Sequence, residues 1–252
     1  MSSRLSLLAL GVGVYLAVAI GSFPAALAYR WFGPEGLTLA ALEGTIWSGR
    51  AGHGSAAGLG FGNLRWQLHP AALLTGKLSV SAEADLADGI ASANILASSA
   101  RLELSEVRVS ASLESIRERF ALGDVSGHFG LSLPRFELVD GVPVAAEGTL
   151  TVANVYSPPL IPIEGVTSIP LGSFRAELAT GDRPGITALV TDEGGPLELM
   201  GRVTLAPDRT YTMDVLVKPR ADAPQVLVEG LLLVTGEPNA EGRRRLLQQG
   251  TL

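Results

Sequence analysis

The sequence predicts an all-β domain: a curved, mainly antiparallel sheet, gutter-shaped or a partly open barrel, with one or two short helices and a single transmembrane helix before it. Three observations carry this expectation. No charged side chain lies between Leu5 and Tyr29, a stretch bracketed by Arg4 and Arg30. Beyond residue 40, apolar and polar residues alternate with a period of two, which buries one face of a strand and wets the other. Asp-Gly and Gly-Asp steps punctuate these runs, supplying the positive φ angles of tight hairpins.

Residues 1–4 read as a short cytoplasmic end and residues 5–29 as the transmembrane helix. About 20 apolar residues cross a bilayer at about 1.5 Å of rise each, and this run is longer. Pro24 ends or kinks the helix near the far interface, and Tyr29 and Trp31 stand where aromatic residues anchor a span. A cleaved signal peptide is the competing reading, because Arg4 gives a basic start and Ala26-Leu27-Ala28 resembles a cleavage pattern. Signal peptides, however, usually carry an apolar region of only about 7–15 residues. Both readings export the chain beyond residue 30.

A linker over 30–40 leads to the β-domain, 41–238. Its strands are legible in Leu78-Val80-Ala82-Ala84-Leu86, Leu102-Leu104, Val107-Val109, Phe129-Leu131-Leu133, Phe174-Ala176-Leu178, Ile186-Ala188-Val190 and Tyr211-Met213-Val215-Val217. Turn signals such as Asp88-Gly89, Asp140-Gly141 and Gly181-Asp182 follow too closely for crossover helices, so the sheet is antiparallel. Two stretches read as helical. Leu113, Ile116 and Phe120 share one helical face, and Pro70 to Leu74 begins with a well-placed proline. A weak repeat sets Gly44, Gly127, Gly148, Gly201 and Gly230 before apolar residues, where glycine in a strand marks a bulge or bend. Residues 239–252 read as a polar, flexible tail.

Composition narrows the chemistry. The 252 residues carry a formal charge of -6 with a pI near 5.1, and the only basic run is Arg243-Arg244-Arg245, so no nucleic-acid partner is expected. With no cysteine, disulfides, thiolate metal sites and cysteine nucleophiles are excluded. His53, His69 and His128 are dispersed and show no metal-ligand spacing. There is no Gly-x-Ser-x-Gly elbow and no phosphate-binding loop, and Gly58-Leu59-Gly60-Phe61-Gly62 lacks the strand-to-helix context of a dinucleotide site. No catalytic, cofactor or metal residue is therefore nominated, and an enzyme is not expected.

Two tryptophan motifs remain. In Glu43-Gly44-Thr45-Ile46-Trp47-Ser48-Gly49-Arg50-Ala51, glycines bracket a large aromatic; Leu64-Arg65-Trp66-Gln67-Leu68-His69-Pro70 follows, with Leu73-Leu74 and Gly76 after it. Ile46, Leu64, Trp66 and Leu68 are expected to face the core. Trp47 then lies on the opposite face, as a contact residue or covered by another element, unless a glycine bulge shifts the register.

These two motifs, placed soon after one apolar amino-terminal segment, resemble those of the type II secretion system protein N family. Layout and length agree across the chain. The resemblance implies an accessory inner-membrane component with its bulk in the periplasm, serving export of folded proteins beside other type II secretion inner-membrane components and held to the membrane by residues 5–29. It carries over Gly44, Thr45, Trp47, Gly49 and Arg50, with Trp66 and Pro70 of the second motif, as a structural or contact signature. The family is also similar to AsmA-like periplasmic proteins, which opens the alternative of a lipid- or amphiphile-binding module with an apolar groove. No cofactor is implied.

Overall fold

The computed structural model describes residues 2–56, 58–117, 123–159, 165–181, 185–235 and 237–251, with the side chains of 2–9, 17 and 234 left aside. Helix α1 (Ser2–Gly21) and α2 (Ala25–Phe32) lead into thirteen strands. These are β1 (Leu37–Gly44), β2 (Ser48–Ala56), β3 (Leu59–Leu68), β4 (Leu78–Leu86), β5 (Gly89–Ala97), β6 (Arg101–Ser112) and β7 (Ser126–Val139). They continue as β8 (Val142–Ser157), β9 (Ile169–Thr180), β10 (Ile186–Asp192), β11 (Leu197–Leu205), β12 (Thr210–Pro219) and β13 (Arg244–Thr251). Helix α3 (Pro70–Leu73) joins β3 to β4, and α4 (Gln225–Val234) lies between β12 and β13.

Every strand pairs antiparallel with its neighbour in sequence, giving one open sheet in the order β1 to β13. Most connections are short turns that permit nothing else, since a parallel neighbour needs a long crossover, and the longer links after β6, β8 and β12 return antiparallel as well. Directly opposed residues share a face, and one apolar line can be followed across the whole sheet. It passes Leu42, Ala51 and Leu64, then Trp66, Ala82 and Ala93. From Ala91 it continues through Val109, Leu131, Leu150 and Ala176. Val190, Gly201, Val215 and Leu246 complete it. The opposite face carries ion pairs, among them Arg65–Glu83, Arg101–Glu137, Arg135–Glu137 and Arg245–Asp214.

One layer of sheet cannot enclose its apolar face. Among the described residues no large side chain is fully buried, and the core is made of nearly covered residues including Ala84, Val107, Leu133, Ile186 and Val215. The helices close the two ends. α2 lies over the face at β1–β4, and α4 lays Leu227 against Ile169, Leu197 and Val217 at the other.

Bulges interrupt the ladder, as a strand with an extra residue requires. Asn63, Glu106 and Asn154 take positive φ beside the register shifts in β3, β6 and β8. Pro134, which cannot donate to the ladder, falls within the shift between Ser132 and Arg135, opposite Gly148. At Gly148, φ is 151° and a Cβ would meet the Ser132 carbonyl oxygen at 2.1 Å, so no other residue fits. Of the repeated glycines, Gly127 and Gly148 stand at such shifts and Gly44 ends β1, whereas Gly201 sits in unbroken register.

Several expectations change. The apolar stretch 5–29 is two helices, because Pro24 has extended dihedrals (φ −66°, ψ 135°) and forms an isolated bridge to Thr45. Within the described residues no helix is long and apolar enough to cross a membrane. Gly230 belongs to α4, not to a strand, since Pro224 starts the helix and Leu227 and Leu231 bind it to the sheet. Part of the supposed polar tail is β13, its Arg243 and Arg245 paired with Glu198 and Asp214. Pro70–Leu73 is helical as expected, while the helix through Phe120 falls partly on residues outside those described.

Candidate functional site

The turn between β1 and β2 is built by its short residues. Gly44 has φ +90°, and a Cβ there would meet the Ser48 carbonyl oxygen at 2.6 Å. The Thr45 N–H donates to the Ser48 carbonyl (2.9 Å), and the Ser48 N–H donates back to Thr45 Oγ1 (3.3 Å). This closed turn presents Ile46 and Trp47 to the break between α1 and α2. The Ile46 N–H donates to the Phe23 carbonyl (3.0 Å), and Trp47 Nε1 donates to the Ile20 carbonyl (2.8 Å). The last four carbonyls of a helix have no intrahelical partner; at the end of α1 the Ile20 carbonyl accepts from the Phe23 N–H (3.3 Å) and more closely from Trp47. The Trp47 carbonyl in turn accepts from the Leu68 N–H (2.7 Å). One residue thus ties helix, turn and third strand.

Gly49 is the floor of this joint. A Cβ on it would approach Trp66 Cζ2 to 2.3 Å and the Glu43 carbonyl to 2.6 Å. Its absence lets the Trp66 ring lie across β2 and donate from Nε1 to the Ile46 carbonyl (3.3 Å). Arg50 stands on the other face and forks onto Glu43, with Nε at 2.8 Å. Of the residues singled out in the sequence, Gly44, Thr45, Trp47, Gly49 and Trp66 therefore converge on one joint, with Arg50 linking β2 to β1 from the opposite face. Pro70 does not; it begins α3 beyond the end of β3.

Beside the joint lies an apolar groove of about 390 Å³ between α2 and the sheet, lined by Ala28, Tyr29, Ile46, Trp66, Leu68 and Val80 among others. Ile46, Leu64, Trp66 and Leu68 share this face as expected. The groove runs on over the strands through a smaller hollow beside Ala84, Ala91, Val107 and Val109. Tyr29 has a second role. Its hydroxyl donates to the Leu37 carbonyl (2.8 Å) and accepts from the Leu39 N–H (3.2 Å), which caps the start of the outer edge of β1.

A polar clasp holds the far end. Arg220, directly after β12, reaches Asp192 and also donates from Nη1 to the Gly195 (2.7 Å) and Leu197 (3.0 Å) carbonyls. Burial by itself would raise the Asp192 carboxyl. The Arg220 guanidinium and the N–H groups of Leu199 and Gly194 outweigh that and hold it below the usual carboxylate range. Neither this clasp nor the Tyr29 edge contact is readable from spacing, because each depends on how separate elements fold against one another. Among the described residues no three His, Cys, Asp or Glu side chains gather to hold a metal.

The arrangement is one of joints and surfaces. Residues 35–247 match the protein family described as Type II secretion system (T2SS), protein N. The chain is 30% identical over 238 residues to the type II secretion system protein N of Vibrio cholerae serotype O1, covering 87% of this chain and 86% of that relative. It is 22% identical over 265 residues to the protein of the same name from Aeromonas hydrophila, with both chains fully covered. No solved structure matches the chain.

Proposed function

The chain belongs to the type II secretion system protein N family, and on that premise we propose that it is an accessory, non-enzymatic component of the secretion machine. In this reading α1 embeds in the inner membrane, and the sheet stands in the periplasm and contacts other inner-membrane components. The observation that carries the proposal is the Trp47 joint. The family-like motif spends its turn, its glycines and its indole on tying the sheet to the end of α1, which suits a part whose task is to hold a domain in a set place at a membrane. The surroundings agree. Leu10, Val14, Tyr15, Leu16, Val18 and Ile20 of α1 are all more than half exposed. Beyond the break, Trp31 is 63% exposed and its ring lies 5.9 Å from that of Phe23, as aromatic residues at a bilayer interface do. Retention of the full chain in carbonate-washed inner membranes, with loss of retention on deleting residues 2–21, tests the tether. Recovery in the soluble periplasmic fraction contradicts it.

A second reading is favoured by one observation, the apolar line that crosses all thirteen strands with two-residue steps at the bulges. In this reading that face is a surface able to take acyl chains, with its entry in the groove under α2. Binding of a fluorescent fatty acid, abolished by Ala82→Trp, supports this reading. Absence of binding to the wild-type chain rules it out.

A further inference from the structure

The second tryptophan motif runs past the joint into a turn that the joint does not use. Strand β3 ends at Leu68, whose N–H donates to the Trp47 carbonyl (2.7 Å), and the Trp47 indole holds the Ile20 carbonyl at the end of α1. Pro70 stands two residues beyond Leu68, within about 7 Å of it along the chain, so α3 leaves the sheet at the end where α1 meets it. Over residues 69–78 all side chains but that of Ala72 are exposed. Leu73 is 45% exposed, Leu74 90% and Leu78 41%. Other turns at this end of the sheet are polar, with Ser98-Ser99 after β5, Asp140-Gly141 after β7 and Asp208-Arg209 after β11. Leu74 therefore stands out as an apolar side chain that packs on nothing within the chain.

Two further observations say what covers it. The turn satisfies its own backbone. The N–H groups of Ala72, Leu74, Thr75, Gly76 and Lys77 donate to carbonyls of residues 69–73 at 3.0–3.3 Å, and Thr75 Oγ1 donates to the Ala72 carbonyl (2.8 Å). A segment closed in this way enters an apolar medium without leaving those donors bare. Its charge is also of one sign. In a chain of net charge -6, the only charged residues between Leu64 and Ala82 are Arg65 and Lys77, and Lys77 has no ionic partner among the described residues. Exposed leucines beside a free lysine suit the surface of an anionic bilayer. We propose that the α3 turn is a second membrane contact, in which Leu73 and Leu74 enter the interface of the bilayer beside α1 and Lys77 lies on lipid phosphate. This rests on the reading that α1 embeds in the membrane. The joint and the α3 turn then fix the tilt of the sheet on the membrane at two points, where a lone helix would fix it at one.

The chain has no cysteine, so one introduced thiol carries one environment-sensitive dye. The full chain is labelled as Leu74→Cys, as Leu16→Cys in α1, or as Ala87→Cys in the β4–β5 turn at the opposite end of the sheet. Each is reconstituted into vesicles of phosphatidylethanolamine and phosphatidylglycerol, with or without bromine on the acyl chains. The dye at Leu16 and at Leu74 should shift its emission to shorter wavelength and lose intensity to brominated lipid, and the dye at Ala87 should do neither. Quenching at Leu16 but not at Leu74 overturns the proposal and leaves the tether standing. Quenching at neither position defeats the tether reading itself. A shift at Leu74 that brominated lipid does not quench means that protein covers the turn, and overturns the proposal too. Because a dye can enter lipid unaided, Leu73→Cys is labelled with and without Leu74→Asp. The aspartate should abolish the quenching, and unchanged quenching contradicts the proposal. Lys77→Glu should weaken it as well, since one lysine at an anionic surface is worth about a fivefold change in partition.

Discussion

Trp47 Nε1 lies 2.8 Å from the carbonyl oxygen of Ile20 and donates to it across 27 residues of sequence. This bond sets the end of α1 on the first hairpin of the sheet, and the neighbouring bond from the Ile46 N–H to the Phe23 carbonyl fixes the chain just beyond. A helix end held by side chain and backbone together cannot swivel freely about its connection. The movable element expected between an anchor and its domain is here a joint.

Trp47→Phe keeps the ring and removes the donor. It should cost about 1 kcal/mol, the usual net worth of one hydrogen bond, and lower Tm by about 2–4 °C for a chain of this size. The more specific readout is hydrogen exchange, in which amides at 20–24 and 45–48 should lose protection while the β7–β8 amides keep theirs.

Gly49→Ala should be worse than its size suggests. The new methyl meets Trp66 Cζ2 and the Glu43 carbonyl well inside contact distance, and the expected cost is about 1–3 kcal/mol. Urea titration of the full chain in detergent measures it. A companion Gly62→Ala, where a Cβ would meet nothing closer than 3.7 Å, should be far milder.

Tyr29→Phe removes the hydroxyl that caps the outer edge of β1 at Leu37 and Leu39. Stability should fall by about 1 kcal/mol, and the freed edge should raise self-association. Light scattering against concentration distinguishes the variant from wild type.

The Asp192–Arg220 clasp predicts an acid response. The folded Asp192 carboxyl is held below its ordinary value of 3.8, so its contribution is fully present above that value. It is lost as the pH falls below 3.8 and through the lower folded pKa. Exchange at α4 should therefore speed up below about pH 4, and Asp192→Asn should exchange quickly across the whole range. Acid-independent protection in the wild-type chain contradicts this role.

Much of the fold was legible because a half-buried strand writes its own period. Leu102-Leu104, Phe129-Leu131-Leu133 and Tyr211-Met213-Val215-Val217 fall on the strands expected. What failed did so for local reasons. Gly230 was grouped with strand glycines, but the apolar run from Val226 to Leu233 is equally a helix once Pro224 starts it. Residues 244–251 read as a polar tail because charge hides the alternation of an edge strand whose Arg245 pairs with Asp214 and which follows Arg243, paired with Glu198. For the joint, the sequence marked Gly44, Trp47, Gly49 and Trp66 but not their purpose. The Trp47 indole points to Ile20, 27 residues earlier near the end of α1, and no period in either segment records that.

The most direct measurement places a photo-crosslinking residue at Gln67, on the charged face beside the joint, in the full chain within native inner membranes. Capture of other type II secretion inner-membrane components, reduced in the Trp47→Ala background while the protein level is unchanged, is the predicted result. A Gln67 variant that stays folded and membrane-bound yet captures no secretion component would contradict the proposed role.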